Sequence, residues 1–199
     1  MPIRDSRIYE RYEQSMKFNE TKIEGLYVAE LELFGDDRGF FTRSYCDKAL
    51  REIGIVKQIK QINHSLTSAV GAIRGMHYQN PPHAEIKMVR CISGEVFDVA
   101  VDLRQDSDTF LQWHGEYLNS KNFKMMIIPE GFAHGFQVVK SNSELLYFHT
   151  ERYTQKAEMG ILFNDEKIGI GWPLQATDIS DRDLKHKMIT KEFKGVNIK

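Results

Sequence analysis

The chain has 199 residues, 27 basic and 28 acidic side chains and a formal net charge of −1, which reads as one domain with terminal arms and room for a sizeable core. So balanced a charge disfavours an electrostatic nucleic-acid binder. Residues 1–20 lack the apolar core of an export signal, and no run approaches the ~18 apolar residues of a membrane-spanning helix, so no membrane partner is expected.

Residues 1–20 are polar and charged. Ile3, Ile8, Tyr12 and Met16 recur at loosely helical spacing, which suits a short helical arm and an unstructured one equally. EGLYVAELELFGDDRGFFTRSY follows; its partial alternation and the turn signal GDDRG predict strand, turn, strand. CDKALREIGI is the best short helix, closed by a glycine. A long succession of strands comes next. In EVFDVAVDLR, Phe97, Val99, Val101 and Leu103 share one face and Asp98, Ala100 and Asp102 the other, which predicts a half-buried strand. EIKMVRCISG, FLQWHGEYL, FKMMIIPEG, HGFQVVKS and SELLYFHTERY are further strands, punctuated by SG, PP and KSNS. Short strands at this spacing indicate a sandwich or barrel. After Trp172-Pro173 the pattern fades into a basic, strand-poor or helical end. Cys46 and Cys91 sit among apolar or aromatic residues and read as reduced thiols of a cytoplasmic protein.

Histidines beside glycines in IRGMHYQNPPHAE and IPEGFAHGF raise the question of chemistry. His77, His83, Glu85 and His134 are the candidate metal ligands. A jelly-roll metal site usually places two histidines one residue apart on a strand face; here Pro81-Pro82 interrupt the stretch from His77 to His83, although Pro129, Gly131 and His134 supply the second half of such a signature. Neither a metal nor any other cofactor is expected. Histidine suits proton abstraction near neutral pH, given an acid on its second nitrogen. Asp98, Asp102, Asp181 and Asp183 are all available, and spacing does not choose among them. Tyr147 shares a face with Leu145 and His149, as a packed core phenol or as a proton donor. Lys87 shares one with Val89 and Cys91; unless it snorkels to solvent, it needs a partner or a function there. Arg38 and Arg74 each flank glycine and read as solvated turn residues or anion contacts. On an unbroken strand Arg74 and His77 face opposite ways, and Gly75 permits a bulge between them. No P-loop, G-x-G-x-x-G or G-x-S-x-G is present, which disfavours P-loop phosphoryl transfer and Rossmann dehydrogenases.

In one order the chain carries DDRGFF, the Q-x-N-x-S of Gln61, Asn63 and Ser65, IRGMHYQNPP, VFDVAVDLR, IPEGFAHGF, LLYFHTERY, FND and GIGWP. This order resembles the sugar-nucleotide 3,5-epimerases typified by dTDP-4-dehydrorhamnose 3,5-epimerase, over about residues 20–185. The resemblance implies an all-β, cupin-like jelly-roll sandwich with a few short peripheral helices. It implies a metal-free cytoplasmic homodimer acting on a nucleotide sugar in deoxysugar and polysaccharide biosynthesis. The chain would divide into an N-terminal arm (1–20), a jelly-roll epimerase domain (21–185) and a basic C-terminal tail (186–199).

Carried over by position, the resemblance makes His77 the general base, Asp183 its acid partner, Tyr147 the proton donor on the opposite face and Lys87 the contact to the keto oxygen. Arg38, Phe41, Arg43, Gln61, Asn63, Arg74, His134 and Glu158 fall at substrate-binding positions. The segment holding Arg38 would reach the neighbouring subunit's site. Arg43 departs from the family, which usually has glutamate there; this charge reversal bears on the nucleotide end rather than on the chemistry. The implied reaction is inversion at C3 and C5 of a 4-keto-6-deoxyhexose, of the dTDP-4-dehydro-6-deoxyglucose to dTDP-4-dehydrorhamnose type. Alternatives are inversion of one centre on a dTDP-, CDP- or GDP-sugar, a non-catalytic sugar-nucleotide binding module, and a metal-dependent oxygenase or isomerase.

Overall fold

The computed structural model describes residues 15–198. Its framework is two long antiparallel strands, β7 (Lys87–Asp102) and β10 (Phe132–His149). Each changes neighbour along its length. The first part of β7 pairs with β9 (Lys124–Ile128) and the rest with β8 (Trp113–Asn119). The first part of β10 pairs with β6 (Ile73–Gln79) and the last with β5 (Gln61–Thr67). The pair bends where the register shifts between Val138 and Leu145. There Gly94 takes φ +73°, and Ser143 Oγ meets the N–H and C=O of Glu95, both at 3.0 Å. One nine-stranded network thereby folds into two facing layers, the jelly roll expected from the sequence.

β1 (Met16–Glu20) and β2 (Tyr27–Leu31) extend the first layer beyond β9, and β11 (Glu158–Gly160) extends the second beyond β6. The predicted strand-turn-strand forms β3 (Leu33–Asp36) and β4 (Gly39–Thr42), a separate ribbon whose turn is fastened by the Arg38 N–H on Asp36 Oδ1 (2.9 Å). The expected helix is α1 (Asp47–Glu52), ended by Gly54 at φ +81°. A second short helix, α2, spans Asp181–Leu184. None of the described helices is long and apolar enough to cross a membrane.

Between the layers lie Val89, Cys91, Val96, Met126, Phe136, Val138 and Leu145. Leu50 of α1 packs with Met88, Met125, Ile127 and Phe148 on the outer side of the first layer. Ile161, Ile168, Ile189 and Val196 pack with Met76, Val99 and Val101 against the second. The second half of β7 is therefore buried on both faces, not half-buried: Asp98 and Asp102 are fully enclosed. Asp102 is satisfied by Arg104, Ser107 and Thr109, and Asp98 is paired through Oδ1 with His134. Burial pushes the Cys91 thiol up to about 11, and both cysteines are free thiols.

Two sequence boundaries move. Residues 16–20, read as part of the arm, pair along their whole length with β2. The helical alternative for the arm rested on Ile3, Ile8 and Tyr12, which lie outside the described residues, and on Met16, which is in a strand. The tail joins the domain through bridges Ile161–Lys187 and Arg104–Val196. Its lysines mask widely spaced apolar anchors, Ile189 and Val196, both buried.

Candidate active site

A cavity of about 410 Å³ opens at one end of the two layers. Period-two geometry aims β5's Gln61, Asn63 and Ser65 into it and leaves Ile62 and Leu66 exposed on the other face. The same geometry on β10 turns Tyr147 and His149 inward. On β6 the sequence's parity conflict is resolved at Gly75. It takes φ +140°, and the β6–β10 register shifts between His134 and Phe136. Arg74 and His77 consequently both line the cavity.

His77 Nε2 lies 2.9 Å from Asp183 Oδ1. Asp183 is buried at the start of α2, and its Oδ2 accepts the Gly75 N–H at 3.1 Å. Burial works against this carboxylate's charge. The His77 hydrogen bond and charge, with the Gly75 N–H and Arg182, outweigh that and hold it well below the usual carboxylate range. Arg182 Nη2 also approaches His77 Nε2 at 3.1 Å, but one nitrogen cannot donate to Asp183 and accept from Arg182. The carboxylate only accepts, so Nε2 carries the hydrogen and Nδ1 is the basic atom.

The hydroxyl of Tyr147 meets Ser65 Oγ at 3.0 Å. Burial, opposed by that hydrogen bond, pushes the phenol up to about 12. Lys87 Nζ sits 3.2 Å from Glu85 Oε1 and donates to the His77 carbonyl at 3.5 Å. His134 Nε2 meets Asp98 Oδ1 at 2.8 Å, both buried, with the imidazole edge-on to Tyr147. Glu158 lines the rim, held by Tyr153 Oη (2.9 Å) and Arg182 (3.1 Å).

The sequence's metal set is not gathered. His83 faces Thr154, Glu85 is committed to Lys87 and His149, and His134 to Asp98. Among the described residues the group close enough for a cation is a different one, His77, Asp183 and His186, in which Arg182 already supplies positive charge. Asp183, not Asp98, Asp102 or Asp181, meets His77. Arg38, Phe41 and Arg43 stand apart from this cavity, on and beside the β3–β4 ribbon. The Arg38 side chain is 89 % exposed, Phe41 is 53 % exposed, and Arg43 reaches Ser15.

Sequence reasoning did not assign His149, Glu85 or Arg182 to the site as polar wall. His149 was within reach of the pattern, two residues beyond Tyr147 on the same strand face.

A family described as dTDP-4-dehydrorhamnose 3,5-epimerase matches residues 20–191. The enzyme of that name from Shigella flexneri is 44% identical over 170 residues, 85% of this chain and 93% of the relative. The Bacillus anthracis dTDP-4-dehydrorhamnose 3,5-epimerase, solved with TDP and PPi bound, superposes with a TM-score of 0.85 at 39% identity, covering 87% of this chain and 99% of that one. A Legionella pneumophila dTDP-6-deoxy-D-glucose-3,5-epimerase in complex with dTDP-4-keto-L-rhamnose gives 0.84 at 38% identity, over 91% and 98%.

Proposed function

The chain belongs to the dTDP-4-dehydrorhamnose 3,5-epimerase family, and from that premise we propose how its cavity performs the reaction. The protein is an isomerase that inverts C3 and C5 of a dTDP-linked 4-keto-6-deoxyhexose in deoxysugar biosynthesis. Both carbons flank the ketone, so their hydrogens are acidified. His77 Nδ1 takes one of them, and Asp183 steadies the imidazolium that forms. The electron pair moves onto the keto oxygen, where the Lys87 ammonium stabilises the enolate. Tyr147 then gives its hydroxyl proton to the opposite face of the carbon. Solvent takes the proton from His77 and restores that of Tyr147, and the cycle repeats at the second carbon.

The observation that carries this reading is the entry of the two proton carriers from different layers. His77 is on β6 beside the first part of β10, whereas Tyr147 is beyond the bend, beside β5. A base and an acid on two sides of one cavity are what inversion at carbon requires. The phenol, pushed up to about 12, keeps its proton at neutral pH, and the imidazole is oriented by Asp183.

Gln61, Asn63, Arg74, His134 and Glu158 hold the sugar and diphosphate in this scheme. Arg38, Phe41 and Arg43 belong to a homodimer: their ribbon serves a partner's cavity, since it is remote from its own. The enzyme works in the cytoplasm. The test is turnover of dTDP-4-keto-6-deoxyglucose in deuterium oxide, read by NMR. Label is expected at both C3 and C5, and His77→Ala should slow its entry by roughly 10²–10⁴-fold. Label at a single carbon rejects double inversion, and undiminished label in His77→Ala rejects the base.

A further inference from the structure

One wall of the cavity holds polar groups that the proton transfers above do not use. Gln61 Nε2 donates to Asn63 Oδ1 at 3.1 Å, and Asn63 Nδ2 lies 3.3 Å from His149 Nε2. His149 Nδ1 lies 2.8 Å from Glu85 Oε2, and Lys87 Nζ is 3.2 Å from Glu85 Oε1. The Tyr153 N–H closes the outer end on Gln61 Oε1 at 3.2 Å. One assignment of hydrogens satisfies every link: a neutral His149 that donates from Nδ1 to the carboxylate and accepts at Nε2 from Asn63. None of these side chains is among the buried polar atoms left unpartnered, whereas Asp98 Oδ2, on the residue that pairs with His134, is.

We propose that Glu85 and His149 are positioning residues, which hold the Lys87 ammonium in register with the substrate ketone by anchoring it, through one hydrogen-bonded chain, to Asn63 and Gln61. The inference rests on the ketone role given to Lys87 above. Its physical basis is the depth of the site. The Lys87 side chain is 12 % exposed and that of Glu85 8 %, so an ammonium there needs a counter-charge, and a carboxylate with two enclosed oxygens needs two donors. Lys87 alone provides one. His149 provides the second and, with its remaining nitrogen on Asn63, fixes the carboxylate's orientation and hence the direction in which Nζ points. Burial opposes the charge on Glu85, but the His149 hydrogen bond and the Lys87 charge outweigh it and keep the carboxyl below its ordinary value. The His149 ring also stacks 6.1 Å from that of Tyr147, so one residue contacts the walls that carry both the proton donor and the enolate stabiliser.

The chain's two ends differ in what they do. Gln61 and Asn63 contact the ligand and set affinity; Glu85 and His149 act through Lys87 and affect the chemical step. The test compares His149→Phe with His149→Asn in the full chain. Phe keeps the ring and its stacking but not the hydrogen bonds. Asn sets an amide nitrogen near the position of Nδ1, keeping the bond to Glu85 but giving up the one to Asn63, so its rescue is partial. With dTDP-4-keto-6-deoxyglucose, Phe should lower kcat roughly tenfold while KM and the Kd for dTDP stay within about twofold; Asn should return kcat to within about threefold of the parent. Glu85→Gln, which removes the counter-charge without changing shape, should match the Phe variant and carries the test if that variant does not fold. Equal impairment of Phe and Asn, or an undiminished kcat in either His149→Phe or Glu85→Gln, overturns the proposal. Lys87→Met separates it from the reading beneath it. Full activity in Lys87→Met removes the ketone role itself. Lost activity there beside a silent His149→Phe removes the positioning role alone.

Discussion

Asp183 shows how one buried side chain links the site to stability. Its carboxyl is depressed below the ordinary value of 3.8 because His77, the Gly75 N–H and Arg182 outweigh the cost of burying the charge. A group lowered in this way stabilises the fold above its unfolded pKa and loses that contribution as pH falls. The Asp183 contribution is thus complete at neutral pH and declines below about pH 4. Asp183→Asn should lower the thermal midpoint at pH 7 and flatten the acid limb. Between about pH 5 and pH 3 the variant's midpoint falls less than the parent's in a circular-dichroism melt; parallel limbs reject the assignment. The residue types of this site were legible in the sequence, since a histidine beside glycine and a lysine on an apolar strand ask for partners. Which aspartate answers His77 was not legible from spacing. The two lie 106 positions apart, and Asp98 was an equally good acid until the fold committed it to His134.

At the scale of an element, β6 depends on Gly75. A Cβ there would lie 2.5 Å from Gly135 Cα and 3.0 Å from the His134 carbonyl, at a φ of +140° that other residues rarely adopt. Gly75→Ala should therefore cost about 1–3 kcal/mol from backbone conformation alone, before any clash. The displaced strand carries Arg74 and His77 with it, so kcat should fall together with the unfolding free energy. A urea titration and a rate measurement on the same sample check this, and an alanine variant as stable and active as the parent refutes it. Strand identity in this region was readable from alternation, and a bulge at Gly75 was the one way to put Arg74 and His77 on one side. The bend in β7 and β10 was not readable. SG and KSNS read as turns between separate strands, whereas Gly94 and Asn142 lie inside β7 and β10, each of which runs on through the bend as one strand.

The whole molecule raises the question of where its exposed ribbon belongs. Phe40 and Phe41 are 60 % and 53 % exposed on a two-stranded projection that pairs with no other strand among the described residues. If it serves a partner's cavity, Arg38→Ala and His77→Ala should each be inactive alone. Mixed under conditions that exchange subunits, they should recover about a quarter of the parental sites, because half the dimers are mixed and each has one intact cavity of two. No recovery, with exchange verified by mass, confines each site to one chain. Sequence by itself determined the strand-rich jelly roll, the family and the inventory of proton carriers, because alternation, turn residues and long motifs are local and survive in one dimension. Spacing left open which acid meets His77, the family likeness named Asp183, and tertiary structure brings the two together; it alone decided how Arg74 and His77 come to share a wall and that His149 and Glu85 lead from Asn63 to Lys87. Those pairings join residues far apart in the chain, and a hydrogen bond between them exists only where two layers bring their backbones together.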